Sequence, residues 1–258
     1  MIEFCILGSG SLGNSIYVGS DSCGLLVDAG FSATQTSKRI RIIKGKVPRL
    51  DALLITHEHG DHIRHAHSIS RSFELPVFIS DGTPFDIEKR QLYLNVARFD
   101  PRSRFKIRDL DVYPFPVPHD AACPVGFIIS DGYSSLGIIT DAGCVTKEMV
   151  LALRECNAVV VEANYDEEML ASGPYPTFLK KRVSSPLGHL SNSDASLLCS
   201  LSVHDGLEQI VFAHLSRTNN KPDKPLKQTK AVLEEMGRCI EISVATQDFP
   251  SKVFTIGD

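Results

Sequence analysis

The 258 residues predict an α/β (α+β) sandwich made of two ββα-rich halves stacked sheet against sheet. One observation is rhythm: short β-branched apolar runs alternate with helical stretches from end to end. The other is an internal echo. Leu25-Leu26-Val27-Asp28-Ala29-Gly30 returns as Gly137-Ile138-Ile139-Thr140-Asp141-Ala142-Gly143, and Leu50-Asp51-Ala52-Leu53-Leu54-Ile55-Thr56-His57 as Leu207-Glu208-Gln209-Ile210-Val211-Phe212-Ala213-His214. Each copy is an apolar strand that delivers an acid or an imidazole at its carboxyl end, so the loops of both halves should meet along one edge.

In chain order, strands at 2–7 and 15–18 are joined by Gly8-Ser9-Gly10-Ser11-Leu12-Gly13-Asn14. The glycine spacing matches the dinucleotide fingerprint, which requires a helix directly afterwards. Ser15-Ile16-Tyr17-Val18 follows instead, so a Rossmann site is excluded and the glycines read as a tight strand-to-strand turn. A strand at 24–27 precedes a helix at 33–43 capped by Ser32. A strand over 50–56 leads to a helix at 63–72, whose His65 and His67 fall on different faces and read as surface residues, and then to a strand at 77–80. Strands follow at 111–115, 125–130 and 136–140, then a helix at 146–154 and a buried strand at 158–163. Helices at 176–183 and 193–202, the latter capped by Asn192, precede a strand at 209–212, a helix at 225–236 and strands at 240–245 and 252–256.

Apolar content of 43% and charged content of 22% describe an ordinary globule, read here as one domain over residues 1–258. No apolar run approaches membrane-spanning length, and the first residues enter a strand at once, leaving no room for a basic leader. Seven scattered cysteines, never spaced Cys-x-x-Cys, point to reduced thiols in a cytoplasmic protein and away from a disulfide framework. The net charge of −4 gives no global attraction for polyanions. Two local stretches are basic: Lys38, Arg39, Arg41, Lys44, Lys46 and Arg49, and then Arg98, Arg102, Arg104, Lys106 and Arg108. They read as solvated faces, with the option of flanking a groove for a phosphate backbone.

The chemistry centres on Thr56-His57-Glu58-His59-Gly60-Asp61-His62, where a buried strand runs into a dense set of imidazoles and carboxylates. His57 and His59 are two apart, so an extended backbone projects them the same way. Asp61 and His62 sit at the mouth of a helix and can face the same point. Imidazole suits zinc, iron and copper, and carboxylate adds a hard oxygen ligand. The echo nominates Asp141 and His214 as partners, and His119 offers a further imidazole near a strand end.

His57-x-His59-x-Asp61-His62, followed in order by His119, Asp141 and His214, resembles the ligand series of the metallo-β-lactamase-fold hydrolases, over nearly the whole chain. The resemblance implies a four-layer αββα sandwich with two divalent cations at one edge, zinc first and manganese or iron as alternatives. It implies that His57, His59 and His119 hold one cation, that Asp61, His62 and His214 hold the other, and that Asp141 bridges them. Asp28 matches an acid that supports the ligand loop. Glu162 and His189 occupy the slots where related phosphodiesterases place a carboxylate and the general-acid histidine that it orients. Gly188-His189-Leu190-Ser191-Asn192, Glu162-Ala163-Asn164-Tyr165-Asp166 and the glycine-rich turn look like the YycJ/WalJ-like branch, with Tyr165 where histidine is more usual. That branch implies a bacterial cytoplasmic exonuclease-type phosphodiesterase acting on DNA. A hydroxide held between the cations would attack phosphorus while His189 protonates the leaving oxygen. Asp61 is counted with His189 and Glu162 in the catalytic set, and Ser11, Asn14 and Asn192 are expected to hold phosphate oxygens.

Only 22 residues separate His119 from Asp141, too few for the arm with which tRNA-processing relatives grip tRNA. The substrate must then be gripped by the core and its local loops. Two other readings stay open: hydrolysis of a small ester, thioester or cyclic phosphodiester, and a metal-bound regulatory protein without turnover.

Overall fold

Two seven-stranded mixed sheets lie face to face in the computed structural model, which describes residues 1–84 and 95–257. The first runs, edge to edge, β14 (Phe254–Ile256), β1 (Ile2–Gly8), β2 (Ser15–Gly19), β3 (Gly24–Val27), β4 (Ala52–Leu54), β5 (Val77–Ser80) and β6 (Val96–Phe99). The second runs β13 (Glu241–Val244), β12 (Gln209–Ala213), β11 (Ala158–Glu162), β10 (Ser135–Ile139), β9 (Val125–Ser130), β8 (Leu110–Pro116) and β7 (Phe105–Ile107). In each sheet an antiparallel meander (β1–β2–β3 and β8–β9–β10) continues into parallel strands (β3 to β6 and β10 to β13).

The inner faces share one core in which Phe4, Ile6, Val27 and Leu54 meet Val112, Phe127, Ile138 and Val160. Helices α1 (Ala33–Lys44) and α3 (Ala66–Phe73) cover the outside of the first sheet through Ile40, Ala66 and Ile69. Helices α4 (Lys147–Leu153), α7 (Asn192–Ser202) and α8 (Asp223–Glu235) cover the second through Met149, Leu198 and Leu233. The result is the αββα order. Strands buried on both faces explain why the central runs read as continuously apolar rather than alternating. The chain closes on itself: β14 pairs antiparallel with β1, and Phe254 stacks on Phe4 at 4.9 Å.

The matching strand orders test the echo. β3 and β10 hold equivalent places, as the first repeat requires, but the counterpart of β4 is β11, not β12. The second repeat therefore matches strands of similar composition in different positions, and the strand equivalent to the one preceding His57 delivers Glu162.

Other departures are local. The helix expected at 63–72 is two, α2 (Gly60–Ile63) and α3, because His65 leaves helical geometry at φ −108° and ψ 8°. His65 and His67 are half-buried rather than on the surface. The cap of α7 is Ser191, whose hydroxyl accepts from the Asp194 N–H at 3.0 Å, and Asn192 lies inside the helix. β6, β7 and α5 (Glu167–Ser172) were not anticipated, since their arginine, lysine and glutamate residues hide the apolar period. The expected helix at 176–183 is α6 (Thr177–Val183).

Candidate metal centre

Parallel strands end at the same edge, so the carboxyl ends of β3, β4, β10, β11 and β12 place Asp28, the His57 loop, Asp141, Glu162 and His214 side by side. α2 opens directly after His59 and turns Asp61 and His62 back to that edge. His119 arrives from the loop between β8 and β9.

The donor atoms fall into overlapping groups whose members lie within 4.8 Å: His57, His59 and His119; His57, His62 and Asp141; Asp61, His62 and His214; and Asp141, Glu162, His189 and His214. His119 Nε2 is 3.1 Å from His59 Nδ1, and His214 Nε2 is 3.4 Å from Asp61 Oδ2. Asp141 Oδ2 stands between the groups, 2.8 Å from His62 Nε2 and 4.0 Å from His57 Nε2. All seven residues that the ligand series singled out are thus brought together.

The opposite ring nitrogens are held from behind, which fixes both ring orientation and the nitrogen presented inward. His62 Nδ1 is 2.7 Å from Asp28 Oδ2, His57 Nδ1 is 3.0 Å from Thr56 Oγ1, and His214 Nδ1 is 2.8 Å from Glu162 Oε1. His119 Nδ1 donates to the Gly188 carbonyl at 2.8 Å. Asp28 also accepts from the Thr56 N–H at 2.9 Å, which ties β3 to the start of the ligand loop. Asp28 and His214 adopt left-handed φ values of 66° and 55°, a conformation uncommon for side-chain-bearing residues.

The donor set fits divalent cations. His57 Nε2 and Asp141 Oδ2 are buried and make no hydrogen bond among the described residues, although His62 Nε2 approaches the latter without hydrogen-bond alignment. Buried polar atoms left this way are costly unless another group satisfies them, and both point into the space between the donor groups. Charges agree. Burial alone would raise the Asp141 and Asp61 carboxyls, but the His214 and His62 imidazoles hold both well below the usual carboxylate range. Burial holds the His57 imidazole well below its ordinary value, which favours its neutral, metal-ligating form.

Glu162 is a hub beneath the site. Wholly buried, it takes His189 Nδ1 at 2.7 Å and His214 Nδ1 at 2.8 Å on Oε1, and the N–H groups of Ala142 and Leu190 on Oε2. Burial pulls the His189 imidazolium down, but the Glu162 and Asp141 carboxylates outweigh it and push it up to about 9. His189 Nε2 makes no hydrogen bond among the described residues, and the ring lines a cleft of about 310 Å³.

Ser11, Asp61, Asn164, Tyr175, Leu179, Arg182 and Ser216 line the same cleft. Of the three residues expected to hold phosphate oxygens, Ser11 reaches the cleft. Asn14 and Asn192 do not. Asn14 is buried, with Nδ2 3.3 Å from Asp61 Oδ2 and Oδ1 accepting from Ser9 and Gly10, so it supports the ligand loop. Asn192 is fully buried in a reciprocal pair with Asn220. The two basic stretches do not line the cleft either. Arg39 binds the carbonyls of Leu7 and Gln247, Arg49 and Arg108 share Asp51, and Arg102 pairs with Glu148.

Sequence reasoning missed Asn164, Asp120 and Arg182. Asn164 Nδ2 holds the His214 carbonyl at 2.8 Å. Asp120 was legible as the residue next to His119; Arg182 ends the Lys180-Lys181-Arg182 run of α6, and no local pattern ties that run to the site.

Comparison with known proteins agrees with this geometry. Residues 24–214 match the family model described as "Beta-lactamase superfamily domain". The chain is 35% identical over 262 residues to the exodeoxyribonuclease YycJ of Bacillus anthracis, covering 98% of each. It is 34% identical over 224 residues to the exodeoxyribonuclease WalJ of Streptococcus pneumoniae serotype 2, covering 84% of this chain and 83% of that one. Among solved structures, the metallo-β-lactamase-fold protein YhfI of Bacillus subtilis superposes with a TM-score of 0.74 at 18% identity, over 98% of this chain and all of that one. The chain belongs to the β-lactamase superfamily domain family, in its YycJ/WalJ branch.

Proposed function

We propose that this chain is a two-cation phosphodiesterase that degrades DNA from an end. In this reading His57, His59 and His119 hold one divalent cation, and Asp61, His62 and His214 hold the second, with Asp141 contacting both. Zinc suits the imidazole-rich set, and the two carboxylates admit manganese or iron. Bound cations would supply Lewis acidity toward phosphoryl oxygens and an acidified water at neutral pH.

The chain's own residues supply the rest. Glu162 holds His189 through Nδ1 and its carboxylate favours the protonated ring, which lines the cleft, where Nε2 would protonate a departing oxygen. Glu162 sets the direction of both His189 and His214, and so couples the acid to a ligand of the second cation. Asp61, held ionised by its imidazole neighbours, keeps negative charge at the mouth of α2. Tyr175, Leu179 and Val183 form an apolar wall that limits water beside these groups.

The observation that carries the reading is the buried His189–Glu162 contact beside the donor groups, since a purely structural metal site has no use for a cleft-facing acid. The DNA substrate rests on the relatives' names, exodeoxyribonucleases at 35% and 34% identity. Residues 1–258 read as one domain, because β14 completes the sheet begun by β1 and the donors span His57 to His214. A cytoplasmic location agrees with the free cysteines and with the lack, among the described residues, of any helix long and apolar enough to cross a membrane. The test is cleavage of end-labelled DNA by metal-reconstituted protein, compared with a cyclic phosphodiester and a thioester. Stepwise shortening of DNA alone supports the reading; turnover confined to the small esters would refute it.

A further inference from the structure

Beyond the metal donors, a nucleic acid strand in the cleft needs a cation for the phosphates that flank the reacting one, and among the described residues Arg182 is the one lysine or arginine that lines it. Its guanidinium is not loose. Nε donates to Asp120 Oδ2 at 2.7 Å, while Asp120 Oδ1 lies 3.5 Å from His119 Nε2 and 3.7 Å from His59 Nε2. Asp120 thus ties Arg182 to the loop that carries His119. That single bond uses Nε only, so the Nη1–Nη2 edge is unengaged among the described residues. Such an edge presents parallel N–H donors with the spacing of two phosphate oxygens. The same short helix supplies Leu179 and Val183 to the apolar wall, so wall and cation share one element.

We propose that Arg182, tethered by Asp120 at the rim of the cleft, grips a phosphate of the nucleic acid strand next to the one being cleaved. This deepens the phosphodiesterase reading and rests on it. The pair explains how a chain of net charge −4, with its other basic stretches turned away from the cleft, retains a polyanion: one oriented guanidinium serves where a diffuse field is lacking.

The test is fluorescence anisotropy of a cleavage-resistant phosphorothioate single-stranded deoxyoligonucleotide with metal-reconstituted protein, titrated at several salt concentrations. Arg182→Gln, at a residue whose side chain is 58% exposed, should leave the melting temperature within a degree or two. It should weaken binding roughly tenfold or more, as expected for a lost charge-assisted contact. It should also reduce the log–log salt slope by about 0.7, the single-strand value for one phosphate. Arg182→Lys should recover the slope but only part of the affinity, because the ammonium keeps the charge and loses the fork. Arg41→Gln, on an exposed face of α1 outside the cleft, should change neither. Unchanged affinity and slope in Arg182→Gln would reduce the pair to a clasp between loop and helix and overturn the proposal. Equal losses in Arg41→Gln would overturn it in favour of a diffuse field. A wild-type protein that does not bind the oligonucleotide at all would instead refute the nuclease reading itself.

Discussion

His189 Nδ1 lies 2.7 Å from Oε1 of Glu162, a carboxylate with no exposed surface. Glu162 is the residue that β11 delivers where β4 delivers the His57 loop of the other half, so this carboxylate and that ligand loop follow equivalent strands of the two sheets. The bond sets both the tautomer and the charge of the imidazole.

Replacing the imidazole should therefore remove the acid and nothing else. His189→Ala is expected to lower kcat by roughly 10²–10⁴-fold, the usual contribution of a positioned proton donor. Metal content, read by elemental analysis, should stay at the wild-type value. Loss of a cation in that variant would make His189 a ligand.

The pH dependence follows from the same contact. The His189 value is raised from 6.5 to about 9, so the native state favours its protonated form. In metal-free protein its contribution to stability is fully present below about pH 6.5 and is lost as pH rises through about 9. Thermal melts of the apo-protein should show this loss across that window. In Glu162→Gln the main raising charge is gone, and the loss should move to lower pH. An unchanged profile would mean that Glu162 does not set the imidazole's charge.

Asp28 bears on affinity rather than on chemistry. It is not among the residues lining the cleft, but it fixes His62 through Nδ1 and anchors the Thr56 N–H. Asp28→Ala is expected to weaken metal binding by roughly 10–100-fold, the range for carboxylates that orient ligating histidines. Competition with a chromophoric chelator measures it, and wild-type affinity would contradict the role.

Chelation should also destabilise the fold. Each cation that binds only the native state, at a hundredfold excess over Kd, adds about 2.7 kcal/mol. Removal of both should lower Tm by roughly 10–20 °C in a chain of this size. A Tm indifferent to chelator would place the cations elsewhere or nowhere.

Much of this was legible in the sequence because the donors sit at strand ends, where an apolar run stops at a charged or imidazole residue. Each of His57, Asp141, Glu162 and His214 follows a run whose burial is nearly complete, and that contrast survives without any tertiary information. The signal failed where function depends on which surface faces which. Asn14 and Asn192 have the side chains of phosphate binders, yet tertiary hydrogen bonds consume them. Arg182 belongs to an ordinary basic helix end, and only folding carries it to Asp120. The second repeat misled for the opposite reason: two apolar strands ending in histidine look alike whatever their place in a sheet.

The central claim is that donors drawn from both halves close around two cations joined by Asp141. Anomalous diffraction from crystals grown with zinc or manganese tests it most directly. Two peaks are predicted, one among His57, His59 and His119 and one among Asp61, His62 and His214, both within bonding distance of Asp141. A single peak, or peaks away from Asp141, would contradict the account.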